Sequence, residues 1–348
     1  MKLSNILLML AVLVPTGASA YFEPTGIPAP KTNPPRVIGE KIKLNAAAPK
    51  YDLGVGKQRI SCRYQLMAKI DPIVSFGQTS GHYHSFAGNP TISTTSTLAT
   101  LQANTAGGSC TGGSAYGSSF WAPVMVDTAN NNQVLGESMF LLYYESSFLN
   151  TTVKPIPQGL KMVVGKMDNT DPSKNLSEWS CSTTTAPFTT TVYTKSYIPV
   201  CVVGEKLREQ AFSKECLKLK PNGQPYLDTD TTNFPVNDHA SHMTDVRTGN
   251  WQSKPILDGC PTGYMRLPAI RFIRDFVVKT GTSATWRLTT DSSDMSNPGG
   301  TAHWDYFMAI PSKWSNMFIS NCINASKVCD IGLLGKDPAD GIYKAFTE

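Results

Sequence analysis

Five histidines occur in the 348 residues, and all five sit in three short motifs. These are Gly81-His82-Tyr83-His84, Asp238-His239-Ala240-Ser241-His242 and His303-Trp304-Asp305. Each motif has a carboxylate close by: Asp71 precedes the first, Asp238 opens the second and Asp305 closes the third. Residues two apart on a strand share a face, so His82 points with His84 and His303 points with Asp305. Imidazole and carboxylate at that spacing can chelate one divalent transition metal. They can also form a proton-transfer pair in which the carboxylate orients the ring. His239 and His242, three apart, suit a turn better than a strand.

The candidate ligands or acid–base groups are therefore His82, His84, His242 and His303, with Asp71 and Asp305 to orient them. His82, His84 and His303 are the candidate metal ligands. Tyr83, His239 and Trp121 are candidate substrate contacts, and Arg266 could neutralise an acidic sugar. A purely structural role for the histidines stands beside these readings, because an HxH pair is a weak signal taken singly.

Other chemistries drop out on spacing. A cupin site would add a Glu a few residues after HxH, where this chain has Ser85-Phe86-Ala87-Gly88-Asn89. A copper histidine brace needs His at the mature N-terminus, where the expected cleavage leaves Tyr21. HExxH, GxSxG, GxxxxGK[ST] and GxGxxG are absent from the sequence. The net charge of +5, with 16% charged residues, includes no concentrated basic stripe. A nucleic-acid partner is not expected.

The elements that must position these residues read mostly as strands. Residues 1–20 have the pattern of a cleavable signal peptide: Lys2, an apolar run from Ile6 to Val14, and Ala18-Ser19-Ala20. That run is too short to span a bilayer, and no later stretch is long and apolar enough. Residues 21–58 are Pro-rich and read as an extended arm or linker. Residues 59–348 read as one β-rich domain. Expected strands are Ile60–Ile70, Phe120–Val126, Ser138–Tyr144, Leu160–Val164, Thr190–Val203, Ile270–Val278 and Trp304–Ile310. Glu205–Leu219 and Ser312–Asn321 are the expected short helices. The pattern predicts an all-β sandwich or jelly roll. On a strand, Trp304 would face away from His303 and Asp305 and support the site from behind. Trp251, Trp286 and Trp314 could stack on sugar if exposed, although most tryptophans of a β-rich protein are core. Eight cysteines and no CxxC predict four disulfides in a secreted chain (or a periplasmic one, in a Gram-negative host), with Cys322–Cys329 the easiest pair to close. Asn150, Asn175 and Asn324 open N-glycosylation sequons.

Several of these motifs occur together in an order that is fairly specific. Asp71-Pro72-Ile73-Val74 is followed by His82-x-His84 and Gly88, then by Phe120-Trp121-Ala122-Pro123 and Pro157-x-Gly159-Leu160-Lys161-Met162. Asp238-His239-x-Ser241-His242-Met243, Cys260-Pro261 with Arg266-Leu267-Pro268, and His303-x-Asp305 complete the series. In this the chain resembles a secreted, largely fungal family known as domain of unknown function nineteen-ninety-six. Family members are often fused to WSC-type carbohydrate-binding domains. The resemblance implies an extracellular protein in a polysaccharide or cell-wall setting and implies no particular reaction. The leading expectation is a secreted enzyme that hydrolyses or eliminates extracellular polysaccharide with a His/Asp site. A non-catalytic glycan- or wall-binding protein and a His-coordinated metal-dependent oxidoreductase are the rival expectations.

Overall fold

The computed structural model describes residues 21–32, 45–47, 56–105, 107–112, 116–146, 152–167, 169, 175–183, 197–227, 243–244, 260–292 and 297–330. Two sheets dominate. The smaller has five strands: β1 (Leu66–Ala68), β2 (His84–Gly88), β3 (Ser119–Pro123), β4 (Lys161–Gly165) and β5 (His303–Phe307). Their order is β1-β2-β3-β5-β4, every pair antiparallel. The larger sheet has seven strands, in the order Asn45–Ala47, Val328–Asp330, Lys57–Cys62, Met139–Glu145, Ala269–Val277, Glu205–Phe212, Ser177–Thr183. The fold is an all-β sandwich, as the strand-rich sequence predicts.

Alternation builds the space between the sheets. Ile60, Phe140, Leu142 and Phe272 of the larger sheet meet Ala87, Phe120, Ala122, Trp304 and Tyr306 of the smaller one. Trp304 stacks on Phe272 with ring centroids 5.2 Å apart. The intervening residues of the smaller sheet point the other way. There Phe86, Trp121 and Phe307 form a second apolar cluster with Ile73, Ile92 and Leu101, which cover the sheet's outer face. The smaller sheet is thus buried on both faces.

The expected helix at Glu205–Leu219 is instead two strands, Glu205–Phe212 and Cys216–Lys218. Charged residues that suggested a solvated helix face are here buried cross-strand ion pairs. Arg208 lies opposite Asp275, and Glu209 opposite Arg274, in the register with Ala269–Val277. Both Arg208 contacts to Asp275 are within 2.6 Å, and Arg274 Nε lies 2.6 Å from Glu209. The expected strand Thr190–Val203 is not one over its described part: residues 197–203 are loop with an isolated bridge at Val202. Ile60–Ile70 is interrupted and divides between two sheets. The helix near Ser312 is present as Ser312–Phe318, continued by a π turn.

Four disulfides staple the loops: Cys62–Cys110, Cys181–Cys201, Cys216–Cys260 and the expected Cys322–Cys329. Such a set belongs to an oxidising compartment. Of the Pro-rich segment, residues 21–32 run extended over the domain, whereas Asn45–Ala47 forms the edge strand of the larger sheet and Lys57–Gln58 open its strand Lys57–Cys62, so the expected arm is in part sheet. Thr25 bridges Gln133, and Tyr64 and Gln65 donate to the carbonyls of Pro28 and Lys31. Among the described residues no helix is long and apolar enough to cross a membrane. Residues 1–20 lie outside the described set.

Candidate functional site

The register of the smaller sheet explains why two distant histidine motifs meet. His84 on β2 pairs with Pro123 of the central strand β3. Asp305 on β5 pairs with Trp121, two residues before Pro123, on the other side of β3. His303 therefore flanks β3 at the level of Pro123, with His84 on the opposite flank. Their backbones are two strand spacings apart, about 9.5 Å, and each imidazole leans inward over Pro123. His84 Nε2 and His303 Nε2 come within 3.4 Å of each other. His82, on the loop just before β2, brings its Nε2 within 3.3 Å of the same His303 atom. The three rings are buried, and their ligand atoms form one group.

Hydrogen bonds behind the rings fix their direction. His84 Nδ1 donates to the carbonyl of Ile70 at 2.9 Å, and His303 Nδ1 donates to the carbonyl of Thr301 at 3.0 Å. A carbonyl only accepts, so both rings carry their proton on Nδ1 and turn an Nε2 lone pair toward the centre. Burial, reinforced for His82 and His84 by the neighbouring imidazoles, holds all three histidines below the usual imidazole range. His303 is lowered to about 4 and His82 to about 2. They are neutral imidazoles at ordinary pH.

Asp305 lies beside the rings on the same face of β5 as His303. Its Oδ2 is 3.8 Å from His303 Nε2 and 4.0 Å from His84 Nε2. Neither carboxyl oxygen has a hydrogen-bond partner, and the side chain is 1% exposed. Burial, then repulsion from Asp71, pushes its pKa well above the carboxylate range. A buried carboxyl with no donor is costly unless a cation completes it. The protein side of the site is an unusual concentration of unshared electron pairs.

The structure corrects several sequence expectations. The ring-orienting partners are the carbonyls of Ile70 and Thr301, not Asp71 and Asp305. Asp71 Oδ1 accepts from the backbone N–H groups of Ile73 and Val74, closing the turn that follows Ile70. Trp121 is fully buried against Phe86 and His84, so it packs the site and offers no ring to a sugar. Tyr83 faces away from His82 and His84, where Lys69 lies over its ring. Arg266 belongs to a separate three-stranded sheet and pairs with Glu215 at 3.1 Å. Trp286 and Trp314 are buried too. Asp238, His239, His242 and Trp251 lie outside the described residues. Trp304 stands behind the site, on the opposite face from His303, as the strand period requires. The contributions of Ile70 and Thr301 were missed because backbone carbonyls carry no residue-type signal. At the outer edge, the Tyr21 ring is 6.0 Å from that of His82, its hydroxyl reaching the sulfur of Met167. A second grouping, Cys181, Cys201 and Glu205, offers no thiolate because its cysteines are disulfide-bonded to each other.

The chain belongs to the family described as Domain of unknown function (DUF1996), whose family model matches residues 71–309. That span includes all three histidines of the centre together with Asp71 and Asp305. No curated protein and no solved structure matches the chain.

Proposed function

We propose that the protein is a secreted, metal-dependent enzyme of extracellular or cell-wall polysaccharide, with one divalent transition ion bound by Nε2 of His82, His84 and His303. The observation that carries this reading is the pair of facing lone pairs on His84 and His303. Two acceptors 3.4 Å apart repel each other and cannot share a hydrogen bond. Two nitrogens each about 2.0–2.1 Å from one tetrahedral ion would stand about 3.3–3.4 Å apart. The two Nε2 separations from His303, 3.3 and 3.4 Å, have that spacing. Asp305, whose neutral form burial favours, would ionise beside the cation and supply the matching negative charge.

Three neutral imidazoles leave coordination positions open, as catalytic rather than structural sites do. A bound divalent ion would polarise a substrate oxygen or lower the pKa of its water. Asp305 would be placed to accept the proton released. The polysaccharide substrate rests on the resemblance to a family whose members are often fused to WSC-type carbohydrate-binding domains. The rival reading of a glycan-binding module with aromatic platforms is disfavoured by the burial of Trp121, Trp179, Trp286, Trp304 and Trp314.

Elemental analysis of protein produced through an oxidising secretory route tests the centre. Near-stoichiometric metal is expected in the native protein and none in a His82→Ala/His84→Ala variant. Absence of metal after reconstitution with zinc, manganese, iron and copper would refute the centre. With metal established, released products from a panel of plant, fungal and bacterial glycans decide the enzymatic part. Oxygen- or peroxide-dependent products with copper or iron would move the reaction to oxidation. No product from any glycan would leave a metal site without this activity.

A further inference from the structure

We propose that the turn Leu288–Asp291 is the positioning element of the three-histidine centre, and that Asp291 is its decisive residue. The proposal rests on the three-histidine reading of the site and extends it to residues outside every motif of the sequence. Asp291 is fully buried and lies in the loop that leads to His303, outside the histidine motifs and far in sequence from His82 and His84. Its Oδ1 accepts from Thr301 Oγ1 at 2.6 Å, and its Oδ2 accepts from the N–H groups of Leu288 at 2.9 Å and Gly299 at 2.8 Å. Thr290 Oγ1 adds a bond to Thr301 Oγ1 at 2.8 Å. The turn itself closes through Asp291 N–H to the carbonyl of Leu288, at 3.0 Å.

Thr301 is thereby held by its side chain while its carbonyl takes the Nδ1 proton of His303. Asp291 thus sets the tautomer and direction of His303 through one intermediate residue. The same turn also reaches the other histidine motif. Thr289 Oγ1 donates to the carbonyl of Tyr83, the residue between His82 and His84, at 3.0 Å. Thr289 N–H donates to Val124, whose own N–H donates to that same Tyr83 carbonyl. One buried four-residue turn therefore connects segments more than two hundred positions apart in the chain. A ligand set drawn from such distant strands needs a rigid common reference, because supporting hydrogen bonds set ring orientation and basicity.

Asp291→Asn is a sensitive probe. Both carboxylate oxygens accept, and an amide supplies only one acceptor, so either its NH2 meets the N–H groups of Leu288 and Gly299 or the Thr301 hydroxyl must reverse and accept from it. Long-range nitrogen–proton correlation spectra of histidine-labelled protein report the tautomer of each ring directly, with or without metal. In the native protein His84 and His303 should both be the Nδ1–H form. In Asp291→Asn, His303 should lose that single form while His84, held by Ile70, keeps it. Thr301→Val should copy this result and Thr301→Ser should restore the native spectrum. Cobalt(II) affinity should fall about 10–100-fold in both disrupted variants, with an altered ligand-field spectrum. Phe318→Leu, a core change on the helix Ser312–Phe318 matched for loss of melting temperature, should alter neither readout.

An unchanged His303 tautomer in a folded Asp291→Asn or Thr301→Val protein would overturn the proposal. So would an equal change at His84, which would mean general loosening. Failure of native protein to bind cobalt would count against the metal reading instead, and the tautomer spectra would still decide the role of Asp291.

Discussion

Trp304 donates its indole N–H across the sandwich to Glu209 Oε1 at 2.9 Å. Glu209 also receives Ser177 Oγ on that oxygen and Arg274 Nε on the other. Arg274 continues to the carbonyl of Pro123, the residue over which His84 and His303 meet, at 2.7 Å. The strand that presents His303 and Asp305 on its outer face is thus bolted through its inner face to the larger sheet. Site geometry and core stability share the same hardware.

Glu209→Gln should therefore destabilise the fold strongly. It leaves Arg274 buried without its closest counter-charge, and breaking one side of a buried pair costs about 3–5 kcal/mol. Urea unfolding of the variant against the native protein measures this. Arg274→Met with Glu209→Leu removes both charges but strands the Trp304 indole N–H, the Ser177 hydroxyl and the Pro123 carbonyl, and it leaves Glu137 without Arg274. It should stay destabilised, by less than the sum of the single changes. A double variant as unstable as the sum of the singles would show that the pair is not acting as a unit.

Replacing one ligand histidine should separate metal binding from folding. His303→Ala removes the ring whose Nε2 is common to both short separations. Metal should be lost from that variant, and the metal-dependent rise in melting temperature should vanish with it. His84→Ala should behave alike, because its ring is equally fixed. Retention of full metal content by His303→Ala would place the ion elsewhere.

Much of this arrangement was legible in the sequence, and the boundary is physical. The strand period places His303 with Asp305, and Trp304 opposite, without any coordinates. Disulfide Cys322–Cys329 follows from its short loop. The Glu205–Phe212 strand was hidden because Arg208 and Glu209 look solvated until their partners Asp275 and Arg274 are known. The meeting of His84 with His303 was likewise out of reach: it depends on both strands flanking β3, and register is a property of pairs. Asp291 lacked any signal because its work is done on backbone groups.

Acid should destabilise the metal-free protein in a defined window. His82, His84 and His303 have folded pKa values below the unfolded value of about 6.5. Between those values the unfolded chain binds more protons, so stability falls as pH drops from about 6.5 toward 4, and toward 2 for His82. Each fully buried ring adds a slope of about 1.4 kcal/mol per pH unit while its two states differ by one proton. Asp305 has the opposite sign: its pKa is raised by burial and by Asp71, so its contribution is lost as pH rises above about 4. Lys69 near His82, and Arg274 acting on His84 and His303, add to the histidine effect. Urea midpoints from pH 8 to pH 4 should fall less steeply in His303→Gln than in native protein. Equal slopes would mean that His303 is not buried as a neutral ring.

Gly165 offers the most local test of the site's backbone. It pairs with His303 across β4 and β5, at a φ of +105° that other residues adopt only under strain. A Cβ placed there would lie 2.4 Å from the carbonyl oxygen of Ala302 and 2.9 Å from His303 Cα. Both are backbone atoms of the strand that carries a ligand, so they can yield only if the strand moves. Gly165→Ala should therefore cost about 1–3 kcal/mol and displace His303 from His84, which lowers metal affinity at least as much as the loss of an orienting hydrogen bond, about 10–100-fold. Gly204→Ala is the matched control: its φ is also positive, +88°, but nothing stands within 4 Å of an added Cβ. It should show the strain without the loss of metal. Equal metal affinity in the two variants would mean that the close approach at Gly165 does not set the position of His303.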